Sequence, residues 1–508
     1  NLFMKKLSST GELYEEYLRK MNTVADLRNA SAVLQWDQET YLPPKGAHFR
    51  GSQLATLSEL AHEFFTGDAF YELVKELSQR EELQENQRKN IELTLYDIEK
   101  QRKLSSAFVR KMTEAVNTAW HQWINARKEN SFRVFEPSLD HLVQLKLDEA
   151  DMLGYEHHPY NALLNDYDKG STVEELDGIF AGIIPFLRDI IFKIGEKPAA
   201  DDSCLKRHYP RNIQWDLGMR ILKEMGFDFE AGRQDISEHP FTTSFNPRDV
   251  RLTTRIDEYD FGNMLWSCIH ELGHGLYEQG LPEDQYGLPL GEAASLSIHE
   301  SQSRLWENQI GRSEAFIRHY FPVIREYFPE TLSDVSEEQF YKAINKVYPS
   351  LIRTEADELT YHMHIFIRYE LEKKLLSKKL KTSEIPEYWN KQYKELLNVI
   401  VPDDKSGCLQ DVHWSHGSFG YFPTYSTGSF YAAQFFHFLG QSLPGMNEDI
   451  SNGHFNRILS WLRDNIHSKG RKYESGELCR LVTGENLNPR YFKNYVLNKF
   501  GSLYSLER

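Results

Sequence analysis

A chain of 508 residues with 40% hydrophobic and 13% aromatic content can bury a large core, which excludes bulk disorder. Its 75 acidic residues outnumber 59 basic ones for a formal net charge of −16, a surface that repels phosphate backbones and anionic headgroups. Neither nucleic-acid nor membrane partners are expected. The longest apolar run, Gly178 to Leu187, is broken by Arg188-Asp189 and falls short of the about 20 residues that span a bilayer.

The opening residues, Asn1 to Lys6, have no apolar segment behind them, so no secretory signal is expected and Met4 is a candidate natural start. Most of the chain beyond them reads at helical period. Between Asn90 and Arg127, Ile91, Leu95 and Ile98 mark one stripe with charged residues in the gaps. The polar, Pro-containing break from Gly195 to Asp202 is the best linker candidate, dividing an N-terminal helical lobe (1–195) from a catalytic part (196–508) of one domain. No repeat and no low-complexity tract occurs. Cys204, Cys268, Cys408 and Cys479 have no paired spacing, which argues for reduced thiols and a cytoplasmic location.

His239 to Ile256 reads differently. Val250, Leu252, Thr254 and Ile256 alternate with Arg251, Thr253 and Arg255, predicting a half-buried strand entered through an Asn246-Pro247 turn. Helical stripes resume from about Ser313 to Leu397.

Between these lies His270-Glu271-Leu272-Gly273-His274, an H-E-x-x-H pattern. On a helix its histidines stand one turn apart and reach one zinc ion, and Glu271 lies where a carboxylate accepts a proton from water. Chance yields the pattern in roughly one such chain in twenty. Context favours it, because Leu265, Ile269, Leu272 and Leu276 form an apolar stripe and the histidines project from the other side. A catalytic zinc needs a third protein ligand. Gly280 occupies the position of a third His at fixed spacing, which excludes that arrangement, and a carboxylate from a following helix is the other common solution. Gly291 to Ser303 reads as that helix, offering Glu292, His299 and Glu300, with Glu307 beyond; spacing favours His299 or Glu300.

At this point the sequence resembles the carboxypeptidase Taq family of zinc metallocarboxypeptidases. Six ordered motifs over about 175 residues carry the resemblance: His239-Pro240-Phe241, Asp249-Val250-Arg251-Leu252-Thr253, His270 to His274, His299-Glu300-Ser301-Gln302, Ile352-Arg353-Thr354-Glu355-Ala356-Asp357, and Gly407 to Trp414. Near the N-terminus, Trp36-Asp37 with Thr40, Pro43, Gly46 and Arg50 is similar to the family's opening signature. The resemblance implies Glu300 as third ligand, and zinc as the metal with cobalt or manganese as substitutes. It further implies a mainly α, two-lobed fold with a deep substrate groove like that of neurolysin-like peptidases, with a small β-sheet just before the H-E-x-x-H helix. A homodimer that removes single residues from peptide C-termini with broad tolerance is also implied.

A carboxypeptidase must hold a free carboxylate, for which Arg353 is the first candidate and Arg251 a weaker one. A helix through Arg353 would place Asp357, Thr360 and His364 on its face, with Asp357 orienting the guanidinium. The strand Asp249 to Thr253 is expected to offer an edge to an extended peptide. In the Gly-rich aromatic stretch Ser415 to Tyr425, Tyr421 and Tyr425 are both candidates to stabilise an oxyanion. His413 and Gln410 are expected to bind substrate or support a ligand, His239 stands as a further candidate, and His362 and His364 read as non-ligands. The rival functions are an oligopeptidase cutting internal bonds and a peptide-binding protein on a dead scaffold.

Overall fold

Ser9 opens the first helix, Thr10–Thr40, by a reciprocal cap: its hydroxyl accepts the Glu12 N–H at 3.2 Å and the Glu12 carboxylate accepts the Ser9 N–H at 2.9 Å. This computed structural model describes residues 9–506, so the reading of Asn1 to Lys6, Met4 included, lies outside the described residues. Helices Ala47–Thr66, Asp68–Ser78 and Glu85–Arg102 come next and bury Tyr17, Phe65, Phe70 and Ile98 in one cluster. The stripe read from Asn90 to Arg127 is interrupted. Ser105 accepts the Phe108 N–H at 3.1 Å and starts a separate helix, Ser106–Glu129.

Two larger cores lie beyond this cluster, and the helix Val173–Gly195 ends where the break was read. Before it, Phe132–Leu153 and Val173–Gly195 bury Phe135, Leu139, Ile183 and Leu187 in one core; after it, Leu217, Ile221, Phe261 and Leu265 build another. The chain then crosses back. Helices Tyr361–Leu376 and Ile385–Leu397 join the first core, as do Phe492 and Phe500 near the C-terminus. The helix Pro423–Ser442 is a wall between the two: Phe430 and Ala433 face the first core, while Tyr431, Phe435 and Leu439 face the second. The fold is mainly helical, and no helix among the described residues is long and apolar enough to cross a membrane.

The small sheet forms just before the metal-motif helix, with β1 at Gly232–Ile236, β2 at Thr242–Asn246 and β3 at Asp249–Thr254. Asn246 Oδ1 accepts the Arg248 N–H at 2.9 Å and tightens the predicted turn between β2 and β3. Val250 and Leu252 are buried as the alternation requires. Thr253 is buried too, since its hydroxyl accepts the Phe241 N–H at 2.9 Å and lies 2.6 Å from Ser237 Oγ. Ile256 falls beyond the strand. The expected edge role of Asp249 to Thr253 fails, because β3 is the central strand, parallel to β1 on one side and antiparallel to β2 on the other. Its backbone donors and acceptors are already committed to those neighbours. The edge strand nearest the metal motif is β2.

Helix Phe261–Gly280 carries the metal motif. The next site helix is shorter than expected: Ser295 caps it through the Ile298 N–H at 3.0 Å, so it spans Leu296–Arg304 and leaves Glu292 outside, paired with Arg471 at 3.0 Å. Two glycines let backbones close on this short helix. A Cβ on Gly273 would lie 2.5 Å from Gln302 O and Ser303 Cα, and one on Gly428 would lie 2.6 Å from Glu300 Cβ. Gly273→Ala is therefore expected to cost about 1–3 kcal/mol through overpacking and to lower the melting temperature. Gly178→Ala, whose added methyl meets nothing within 4 Å, is expected to leave stability equal or slightly raised. Equal melting temperatures for the two variants would contradict this packing argument.

Candidate active site

The His270 and His274 imidazoles project from one side of their helix, half-buried, toward the carboxylate of Glu300. Glu300 Oε2 lies 3.7 Å from His270 Nε2 and 3.4 Å from His274 Nε2. One ligand atom from each of the three residues falls within 4.8 Å of the others. The opposite nitrogen of each ring is committed elsewhere. His270 Nδ1 lies 2.7 Å from Glu307 Oε2, a carboxylate that accepts its N–H. His274 Nδ1 lies 2.6 Å from His299 Nδ1, and His299 Nε2 lies 2.6 Å from Glu278 Oε1. The Glu278 carboxylate can only accept, so His299 donates to it through Nε2 and accepts the His274 N–H at Nδ1. In the neutral rings both metal-facing Nε2 atoms thereby keep their lone pairs, and two imidazole nitrogens with one carboxylate suit a divalent ion that displaces any proton held there. Of the alternatives left open by spacing, Glu300 faces both histidines and His299 braces one from behind.

Charge keeps the carboxylates of this set ionised. Burial pushes the Glu300 carboxyl upward, but Arg304 and His270 outweigh it and hold it well below the usual carboxylate range. Arg304 Nε donates to Glu300 Oε1 at 2.7 Å, and Ser303 Oγ donates to Oε2 at 3.1 Å. Burial lowers His270, yet Glu300 and Glu307 more than reverse this and raise it to about 9. His274 goes the other way, lowered chiefly by burial. Glu307 sits on a widened π-helical turn, Leu305–Ile310, of the kind that often marks functional sites. Glu271 is buried, and its Oε2 accepts a 2.5 Å hydrogen bond from Thr242 Oγ1 on β2.

Arg353 differs from expectation. It lies in a short 3-10 turn, Arg353–Glu355, ahead of the helix Tyr361–Leu376, so it shares no helical face with Asp357, Thr360 or His364. Asp357 instead accepts the N–H groups of Leu359 and Thr360 at 2.9 and 3.0 Å, bonds that hold it to the approach of the helix. The partner of Arg353 is Asp411: Nε donates to Oδ1 at 2.9 Å, and Nη2 lies 2.8 Å from the same oxygen. Nη1 donates to the Tyr361 hydroxyl at 3.0 Å. Asp411 also pairs with the fully buried Arg368 at 2.6 Å. Gln410 is consumed in support. Its Oε1 accepts from the Arg353 N–H and from Arg368, and its Nε2 donates to the carbonyls of Leu351 and Ser406.

The aromatic stretch beside Arg353 is pinned by Glu372, a buried carboxylate that accepts the Trp414 Nε1–H and the Gly420 N–H, both at 2.9 Å. Gly420 has φ of 99° and would bring a Cβ to 3.0 Å from the Leu163 backbone, which glycine alone avoids. Tyr421 comes directly after it, while Tyr425 lies in the first turn of Pro423–Ser442; their rings are 5.1 Å apart. His413 stacks on Phe422 at 4.4 Å, and its Nε2 lies 3.3 Å from the Tyr425 hydroxyl. Burial lowers its pKa to about 4, so it is neutral at pH 7.

The remaining candidates are dispersed. Arg251 pairs with Asp249 at 2.9 Å and stacks over Trp36, its carbon 4.4 Å from the ring centre. His239 is exposed, and only its carbonyl is engaged, by Ser237. His362 and His364 are buried against Ser426 and Tyr393, away from the metal-ligand group. Sequence reasoning missed Thr242, Glu278, Arg304, Arg368 and Asp411 as site residues, and saw Glu307 only as a possible ligand. Two of these had a local signal: Glu278 comes after His274, and Arg304 after Glu300, by one helical turn.

Comparison with known proteins places the chain in a family. Residues 16–500 match the family model described as Carboxypeptidase Taq (M32) metallopeptidase. The chain is 37% identical to Carboxypeptidase 1 of Bacillus subtilis (strain 168), over 97% of this chain and 99% of that one. It is 56% identical to the solved structure of CHT, with a TM-score of 0.95 over 96% of this chain and 99% of that one. The M32 carboxypeptidase from Deinococcus radiodurans R1 superposes with a TM-score of 0.96 at 36% identity, over 97% of this chain and 100% of that chain. The chain belongs to the carboxypeptidase Taq (M32) family of metallopeptidases, and it is a metallocarboxypeptidase.

Proposed function

We propose that the chain is a zinc carboxypeptidase that releases single C-terminal residues from peptides with broad tolerance, as a cytoplasmic homodimer. The observation that carries this reading is the convergence of His270, His274 and Glu300 within 4.8 Å, with Glu271 next in the chain to His270. A divalent ion held by these three residues supplies Lewis acidity, which acidifies water toward neutral pH and polarises a carbonyl. Two imidazoles and one carboxylate favour zinc among the common divalent ions, with cobalt and manganese as substitutes. Four buried, unpaired cysteines suit a reducing compartment. The homodimer rests on the family resemblance and is read by light scattering.

Glu271 is the general base in this reading. Thr242 holds its Oε2, and Oε1 makes no hydrogen bond among the described residues, so Oε1 is free to take the proton of the attacking water and hand it to the leaving amine. Arg353 spends three of its five N–H groups on Asp411 and Tyr361, which leaves two for a substrate carboxylate. Tyr421 or Tyr425 donates to the developing oxyanion. The peptide backbone runs along β2, the edge strand that carries Thr242. Arg251 and His239 line the outer approach, and His413 supports Tyr425.

The direct test is mass spectrometry of one unblocked peptide over time, with and without chelator. A ladder shortening from the C-terminus by single residues, stopped by chelator and restored by zinc, is expected. Internal fragments would move the reading to an oligopeptidase, and metal-free, inactive protein would move it to a binding scaffold.

Glu271→Gln is expected to keep the metal and lose turnover by several orders of magnitude; metal loss in that variant would make Glu271 structural. Arg353→Ala removes a charge-assisted contact of about 1.5–3 kcal/mol and is expected to lower activity on free-carboxylate peptides roughly 10- to 150-fold. Residual activity on amidated peptides should barely change. Because the Asp411 pair is buried, the same variant also lowers the melting temperature, and assays belong well below it. Equal losses on both peptide types in folded protein would shift the anchor to Arg251.

A further inference from the structure

Two guanidinium groups meet on one tyrosine. Arg304, which holds the Glu300 carboxylate at 2.7 Å, lies over the Tyr361 ring with its central carbon 4.7 Å from the centroid. Arg353 donates to the hydroxyl of the same residue at 3.0 Å. Tyr361 is 8% exposed and starts the helix Tyr361–Leu376, so the rigid core fixes its position. Its electron-rich face meets one cation and its oxygen meets the other. Phe would lose the hydrogen bond to Arg353 and keep the ring contacts, 4.7 Å to Arg304 and 6.0 Å to Arg353, and an aliphatic residue would keep none of them. The ring also stands edge-on to Tyr425, 6.2 Å between centroids.

Removing one residue at a time demands a fixed span between the group that activates the scissile carbonyl and the group that holds the terminal carboxylate. Nothing in either motif sets that span, because Glu300 and Arg353 come from separate segments. We infer that Tyr361 is a positioning residue that sets the distance between the metal-ligating carboxylate Glu300 and the carboxylate anchor Arg353, and thereby the one-residue step. The inference rests on the reading of Arg353 as the anchor, and its Arg304 arm stands independently of that reading.

The test uses the full chain loaded with zinc, carrying Tyr361→Phe or Tyr361→Leu, with melting curves to show both folded. Three readouts apply: KM and kcat on a free-acid tripeptide, zinc retained after dialysis against a chelator, and the size of released products. Tyr361→Phe loses only the hydrogen bond to Arg353, so KM is expected to rise about 5- to 30-fold with kcat within about twofold. Zinc retention and product size should stay as in the parent. Tyr361→Leu also frees Arg304, so zinc affinity is expected to fall about 10-fold and dipeptides to appear among the products.

An unchanged KM in Tyr361→Phe, while Arg353→Ala still discriminates free from amidated peptides, would overturn the inference alone. Failure of Arg353→Ala to discriminate would overturn the anchor reading instead. Parental zinc retention and single-residue release in folded Tyr361→Leu would overturn the Arg304 arm. Should Tyr361→Leu fail to fold, the KM of Tyr361→Phe decides.

Discussion

The candidate metal site is organised around one buried carboxylate, Glu300, which must stay charged beside three others. Glu271 is buried between the two histidines of the H-E-x-x-H motif, and Glu278 and Glu307 stand half-buried behind them. Burying a carboxylate costs several kcal/mol unless cations and donors replace its water. Here the replacements are explicit: Arg304 and Ser303 on Glu300, His270 and Arg312 on Glu307, and His299 on Glu278. The bonds of His270 to Glu307 and of His299 to Glu278 also have a directional role, because an acceptor behind an imidazole decides which nitrogen keeps its lone pair. The same hydrogen bonds that offset desolvation thus orient the ligands.

This arrangement explains the tight packing of three helices. Glu300 reaches the histidines only because the backbone of Leu296–Arg304 can approach Gly273 and Gly428. The π-helical turn after it carries Glu307 to the far side of His270, so one helix supplies a carboxylate to each nitrogen of that ring. Metal-ligand geometry and core packing are therefore one problem, and a change in either is felt in the other.

The Arg353 cluster obeys a similar rule with the signs reversed. Arg353 and Arg368 are buried cations that share the carboxylate of Asp411, which their charges hold well below the usual range although burial pushes it up. Gln410 saturates its amide on the surrounding backbone, so the group is rigid before any peptide arrives. A guanidinium fixed in this way loses little entropy on binding a carboxylate. The wall helix Pro423–Ser442 belongs to both cores and touches both groups, with Gly428 against Glu300 and Tyr425 under the Arg353 guanidinium.

The sequence by itself determined the metal motif and the fold class: His270, Glu271 and His274 at helical spacing, a strand island before them, and a mainly helical fold. These are local properties, set by periodicity and by residue type within a turn or two. Tertiary structure decided whatever depends on separate segments. It made β3 central, because strand order is set by chain packing and not by alternation within one strand. It gave Arg353 the partner Asp411, 58 residues away, in place of Asp357, which the start of the next helix had already taken. It put Thr242 on Glu271 and Tyr361 between two arginines. Such pairings cannot be read along the chain, because their energy comes from desolvation and contact that exist only after the segments have packed.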